Sequence, residues 1–266
     1  MRTFLRIFLA FFFAIVLLLV LILGFLGFIP GLSSILGSDK PKDLGIKYTQ
    51  ADVDSGRSKS QLEYLAINEP VSSENSIQWS GTREVNIELT SAQLTGIMNT
   101  KPWKYYPYKN VQVKFNGDGS AEVSGSLVKN NIPVYASTFQ APQVAVDFAM
   151  KFLPENPTFY LKGRAALTEN KVSLFEPQVF QIGKIPMPLN MFLSFVEPSL
   201  VKEAYAIDLN EMSQELSKVS NKRQLIIDFI DSRLANINGF YAKNARITEN
   251  KLIFEGNLSE KEATER

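Results

Sequence analysis

"VQVKFNGDGSAEVSGSLV", Val111 to Val128, reads as two strands and the turn that joins them. Val111, Val113 and Phe115 alternate with polar residues on the way in. Ala121, Val123, Gly125 and Leu127 alternate on the way out. A period of two puts each set on one face of a sheet. Between them stands Asn116-Gly117-Asp118-Gly119, and Asn-Gly and Asp-Gly supply the positive φ angles of tight hairpin turns.

The same grammar returns twice. "TENKVSLF" starts at Thr168 and "TENKLIFE" at Thr248, eighty positions later. "TFYLKGRAAL" alternates ahead of the first and "FYAKNARI" precedes the second, so each polar tetrapeptide is read as a hairpin tip. Good turn chemistry found twice explains the likeness as well as a duplication does. The spacing is too wide for a solenoid, and three hairpins side by side predict an antiparallel meander. Gly125, Gly163 and Gly256 fall inside strands, in phase with the apolar side. Glycine weakens a strand, so each calls for a bulge, a bend or the close approach of a backbone or ligand.

Helices punctuate the strands. "REVNIEL" alternates from Arg83, and Thr90 with Gln93 then forms a capping box ahead of Leu94, Ile97 and Met98 at helical spacing. Thr49 with Asp52 forms a second box, which opens a short helix ending near Gly56. "NNIPVYAST" reads as a continuation of the sheet limited by Pro133. "APQVAVDFAMKFL" reads as a helix with a first-turn proline. "PLNMFLSFVEPSLVKEAY" places Met191, Phe192, Phe195 and Val196 at helical spacing, and "NKRQLIIDFIDSRLANING" is amphipathic ahead of Gly239. The expected class is α+β: a curved antiparallel sheet of hairpins wrapped around or packed on helices, preceded by one N-terminal transmembrane helix.

That span is Ile7 to Ile29, 23 residues in a stretch that carries no charge between Arg6 and Asp39. As a helix it covers about 34 Å, enough for a hydrocarbon core of roughly 30 Å. Arg2 and Arg6 keep residues 1–6 cytoplasmic, which makes the chain single-pass with its C-terminal domain extracytoplasmic. A cleaved signal peptide would have a shorter apolar core and a small-x-small site, and Gly27-Phe28-Ile29 is a poor one. Residues 30–43 then read as a linker, 44–258 as one extracytoplasmic domain and 259–266 as a charged, frayed tail.

Composition narrows the chemistry. There are no cysteines and no histidines, which removes disulfides, thiolate ligands, the commonest general base and any Ser-His-Asp triad. Without Arg2 and Arg6 the chain carries 26 basic and 27 acidic residues. That balance gives no field for nucleic acid. Asp52/Asp54 and Asp228/Asp231 read as solvated charges. Asn116-Gly-Asp118-Gly lacks the later ligands of a calcium loop, and "KGRAAL" lacks Walker spacing. No metal or cofactor is expected.

"KPWKYYPYK" sets Trp103, Tyr105, Tyr106 and Tyr108 among Lys101, Lys104 and Lys109. Such a mixture suits a membrane–water interface, and equally a proline-rich connection whose rings pack on the sheet edge. The in-phase face formed by Val111, Val113, Phe115, Val123, Gly125, Leu161, Gly163, Leu252, Phe254 and Gly256 lines either an apolar groove or an ordinary core.

With the anchor, "VNIELTSAQLTGIMN", "VQVKFNGDGSAEVSGSL" and "INGFYAKNARITENKLIFEGNL", the chain resembles bacterial membrane-anchored envelope proteins of the LmeA-like and YpmS-like kind over residues 44–258. Those are linked to the tubular lipid-binding (TULIP-like) architecture. The resemblance rests on the order of structural patterns, so it transfers no functional residue. It implies a long curved sheet, an apolar groove for acyl chains and no enzymatic turnover. The leading expectation is thus an anchored domain that binds phospholipid or another long apolar ligand in envelope maintenance. A scaffold for envelope proteins comes second, and a carboxylate-dependent hydrolase last.

Overall fold

The computed structural model describes residues 15–141, 143–186, 222–248 and 250–266. Strands β3 (Arg83–Thr90), β4 (Tyr108–Phe115), β5 (Ala121–Leu127), β6 (Thr158–Thr168), β7 (Lys171–Ile182), β8 (Ile185–Pro186), β9 (Tyr241–Thr248) and β10 (Lys251–Leu258) form one antiparallel sheet. Its order is β3-β10-β9-β6-β5-β4, with β7 on the other edge of β6 and β8 beyond it. The three hairpins are present, but they do not make a simple meander. Thr158–Gly163 of β6 pairs with β5, and Ala166–Thr168 pairs with β9. Two strands meeting end to end along one edge of β6 send the two arms of the sheet apart, and the whole curls into a half-barrel.

Turn chemistry explains the tips. Glu169 and Asn170 both have positive φ, 52° and 58°, as a two-residue hairpin turn requires. Asp118 Oδ1 accepts from the Ser120 N–H at 2.9 Å and its hydroxyl at 2.7 Å, which closes the first tip. The in-strand glycines answer to close approaches. At Gly163, beside a bulge of β7, a Cβ would lie 2.6 Å from the Glu176 carbonyl oxygen. At Gly125 it would meet the Phe159 ring at 2.9 Å. Gly256 sits at a bulge with φ 150°, and its missing Cβ would collide with the Tyr241 carbonyl oxygen.

Helices α3 (Gln50–Ser60) and α4 (Ser91–Asn99) both begin with the expected capping boxes, at Thr49/Asp52 and Thr90/Gln93. α3 runs through Gly56 and stops at Ser60, where Gln61 turns left-handed with φ 52°. The two helices pack on each other and reach both β3 and β4, the end strands of the curled path. Two core clusters fill the concave side. One holds Val85, Ile87, Leu89, Ala245 and Phe254, the other Val111, Val113 and Phe115, and Leu94 and Leu252 touch both.

Three expectations need correction. Residues expected to continue the sheet form helix α5 (Ile132–Thr138), with Pro133 in its first turn, where a missing N–H costs nothing. Residues expected as a frayed tail form β11 (Lys261–Thr264), the middle strand of a second sheet between β1 (Glu63–Ala66) and β2 (Ile77–Ser80). Paired on both edges, β11 has no free backbone to fray. The apolar N-terminal helix covers 15–25 among the described residues and ends before Ile29. Gly27, φ 95°, ends it: its N–H reaches the Gly24 carbonyl and the Phe28 N–H reaches that of Leu23, a Schellman stop. Among the described residues no helix is long and apolar enough to cross a membrane, and residues 7–14 of the expected span lie outside them.

The chain turns back into helix α2 (Pro30–Ile35) within the expected linker, and Ser33 and Ser38 donate their hydroxyls to the Gly24 and Phe25 carbonyls. The helices expected within 141–153 and 221–239 are present as α6 (Gln143–Phe152) and α7 (Lys222–Asn236). The one expected around Met191 to Val196 lies outside the described residues.

Candidate functional site

Register defines the inner face of the sheet. Val113 opposes Val123, Val123 opposes Leu161 and Leu161 opposes Phe180, so four side chains form one row across β4, β5, β6 and β7. Exposure rises from Val113 to Leu161 and falls again at Phe180, which is half-buried. Val113 is 2% exposed, Val123 is half-buried and Leu161 is 39% exposed. The curl is therefore packed solid near β4 and opens at β6–β7. Phe159 and Ile182 form the next row toward one end, and Ala165 with Phe175 lies toward the other. Phe159 is buried and Phe175, Phe180 and Ile182 are half-buried, so the open strip is exposed at Leu161 and Ala165.

Of the apolar residues expected along a groove, Val111, Val113, Phe115 and Phe254 are buried core. Val123 and Leu252 pack against that core, and Leu161 alone stands exposed on the open strip. Gly125, Gly163 and Gly256 admit neighbouring protein atoms at the distances given above. The strip starts where the N-terminal helix is fastened. Gly183, next to Ile182, faces the Leu26 carbonyl and donates its N–H to Thr158, while Gly27 faces Pro154. Along the helix, every residue from Ile15 to Leu23 exposes an apolar side chain, and Phe25, Phe28 and Ile35 extend that surface.

The aromatic loop turns inward. Trp103 is buried, Tyr106 and Tyr108 are half-buried, and Lys104 and Lys109 remain at the surface with Tyr105 half-covered. β11 holds this loop in place. The Lys104 N–H donates to the Glu265 carbonyl, the Thr264 hydroxyl donates to the Pro102 carbonyl, and Trp103 Nε1 donates to Ser76 Oγ at 3.1 Å. Glu262, 2% exposed, takes Lys101 Nζ on both carboxylate oxygens at 2.8 and 2.7 Å and Trp79 Nε1 at 3.0 Å.

Behind the loop lies a cavity of about 320 Å³. Its walls are Tyr64, Trp103, Tyr106, Tyr108, Tyr135 and Phe139, with Ile97, Met98 and Lys101 completing them. The rings interlock: Tyr108 meets Tyr135 edge-on at 5.4 Å, and Tyr135 meets Phe139 at 4.8 Å. Tyr108 also meets Phe159 at 5.8 Å, which joins this chamber to the base of the open strip. Burial pushes the Tyr64 hydroxyl up to about 12. The nearby Glu262 carboxylate adds to the rise, and the Arg57 guanidinium partly offsets it. Burial likewise raises Tyr106, Tyr108 and Tyr135, so all four hydroxyls stay neutral at physiological pH.

The carboxylates noted in the sequence have structural duties. Asp52 caps α3, Asp54 accepts from Gln50 and Asp228 accepts from Gln224. Asp231 accepts the Val172 N–H at 2.7 Å and ties α7 to β7. Among the described residues no cluster of three or more acidic side chains could hold a metal ion. Sequence reading missed Tyr64, Tyr135, Phe139 and Glu262. They come from three separate segments, β1, α5 with its last-turn cap, and β11, and the register of β1 and β11 sets Tyr64 beside Glu262. No family model, curated protein or solved structure matches the chain.

Proposed function

We propose that this protein is a membrane-tethered, extracytoplasmic binding module that holds a lipid acyl chain on the open apolar strip of β6–β7. The observation that carries the reading is the rise of exposure from Val113 through Val123 to Leu161, which leaves the Leu161 side chain exposed on the inner face at one side of a packed half-barrel. Together with the exposed apolar N-terminal helix, that surface favours an apolar partner. The N-terminal helix supplies the source. A helix apolar on all faces and exposed along its length favours a hydrocarbon medium. Its junction with the start of the strip, where Gly183 approaches the Leu26 carbonyl, supports a passage between that medium and the strip.

Each methylene moved from water onto the strip contributes about 0.8 kcal/mol, so even a partly seated chain outweighs the loss of its freedom. A chain leaving a bilayer gains less, because it is already out of water. The strip therefore suits holding or passing a lipid more than extracting it unaided. To test the reading, the full chain is reconstituted in phospholipid nanodiscs and ejected into native mass spectrometry. The expected result is one retained phospholipid per chain, at least five-fold depleted in Leu161→Asp. Absence of any retained lipid in the wild-type chain would sink the reading.

A further inference from the structure

We propose that the chamber behind residues 101–108 is a second, independent binding site for a neutral, flat, ring-bearing molecule with a hydroxyl or carbonyl group. Its volume, about 320 Å³, falls at the small end of ligand sites, room for a one- or two-ring body. Rings of Trp103, Tyr106, Tyr108, Tyr135 and Phe139 offer flat apolar contact, and Met98 adds an adaptable wall. Tyrosine hydroxyls supply the polar handles, since each can both donate and accept.

Charge decides the class. Aromatic cages commonly hold cations, but this one already has its cations in place. The Arg57 guanidinium lies 4.9 Å from the centre of the Tyr64 ring, and Lys101 is part of the wall. A positive ligand would face both. An anion would instead face the electron-rich rings, and it would compete for Lys101 with the buried Glu262 carboxylate, which already neutralises that ammonium and takes two of its three N–H donors. A neutral ligand meets neither objection.

The chain has two tryptophans, and both report on this place: Trp103 lines the chamber, and Trp79 bonds Glu262 and packs 5.8 Å from Phe139. Full-length protein labelled with 5-fluorotryptophan in nanodiscs therefore gives two fluorine resonances, assigned with Trp79→Phe. Three probes on one naphthalene body follow: 2-naphthol, 2-naphthoate and 2-naphthyltrimethylammonium. We expect 2-naphthol to shift the Trp103 resonance saturably, with at least ten-fold higher affinity than either ion. Tyr135→Phe, which keeps the ring, should weaken 2-naphthol at least three-fold. Glu262→Gln frees Lys101 and should improve 2-naphthoate at least ten-fold. An unmoved Trp103 resonance with 2-naphthol, or equal affinity for an ion in the wild-type chain, overturns the proposal. So does an unchanged 2-naphthoate affinity in Glu262→Gln whose fluorine spectrum shows it folded. None of these outcomes depends on whether the β6–β7 strip holds lipid.

Discussion

Thr95 Oγ1 accepts the backbone N–H of Val113 at 2.9 Å, and both residues are buried. Ser91 Oγ does the same for Phe115 at 2.9 Å and Asn99 Oδ1 for Val111 at 2.9 Å. Positions four apart on a helix rise about 6 Å, and positions two apart on a strand about 6.8 Å. A polar row on α4 can thus stand in for a missing strand along the edge of β4. Open edges invite foreign strands, and this one is closed. Thr95→Val keeps the shape and removes the acceptor. It should cost about 1–3 kcal/mol, the penalty of an orphaned buried donor, whereas Thr95→Ser should stay near wild type. Urea denaturation of the three proteins measures the difference.

Gly256 occupies a backbone conformation that side chains disfavour, with φ 150°, and its neighbour is the Tyr241 carbonyl. Gly256→Ala should destabilise the β9–β10 hairpin by about 2 kcal/mol or more, since strain and collision act together. Thermal unfolding followed by circular dichroism should show a lower midpoint. An unchanged midpoint would mean that the bulge relaxes freely.

Alkaline titration reads the chamber. Tyr64, Tyr106, Tyr108 and Tyr135 have hydroxyls raised above the ordinary 10.0, chiefly by burial. A group raised in the folded state contributes stability that is complete below its unfolded value and disappears as pH climbs through the folded one. Stability should therefore hold to about pH 10 and fall above it, with Tyr64 losing its share up to about 12. Spectrophotometric tyrosinate titration of the nine tyrosines should show these four lagging until the fold opens, together with Tyr160 and Tyr241, whose hydroxyls are raised outside the chamber. Ordinary titration of all nine would contradict the burial of the four chamber hydroxyls.

Acid acts elsewhere. Glu122 accepts the Tyr160 hydroxyl at 2.7 Å, which is the main reason its carboxyl lies below the ordinary 4.5. Asn116 and Lys42 lower it further, while burial works against them. A depressed carboxyl contributes stability that is complete above its unfolded value and lost as pH falls through the folded one. Stability should be flat above about pH 5 on this account and decline below 4.5, and Glu122→Gln should flatten part of that decline in acid urea titrations.

Local chemistry was legible in the sequence. Period-two runs, the Glu169-Asn170 turn and the two capping boxes depend on neighbours a few residues away, and each formed where expected, while at the first tip Gly119 takes a positive φ and Asn116-Gly117 does not. Long-range pairing was not legible. Nothing in "SEKEATER" tells that Lys101, 161 positions earlier, will bury Glu262 and make a strand of an acidic tail. Trp103 and Tyr108 stand among lysines as they would at a membrane surface, and only Ser76, Tyr135 and Phe159 turn them inward. Val113 and Leu161 obey the same alternation, yet one is core and the other exposed, because sheet curl is set by which strands share β6. Pro133 carries two meanings, strand edge or helix start, and its neighbours chose the second.

The lipid reading is tested most directly by a photo-crosslinking residue in place of Leu161, compared with one in place of Arg164 on the opposite face of β6, in the full chain in phospholipid membranes. The account predicts a lipid adduct at 161, found by mass spectrometry of the modified peptide, and little or none at 164. Equal labelling at both positions, or a residue 161 that captures only water, would contradict it.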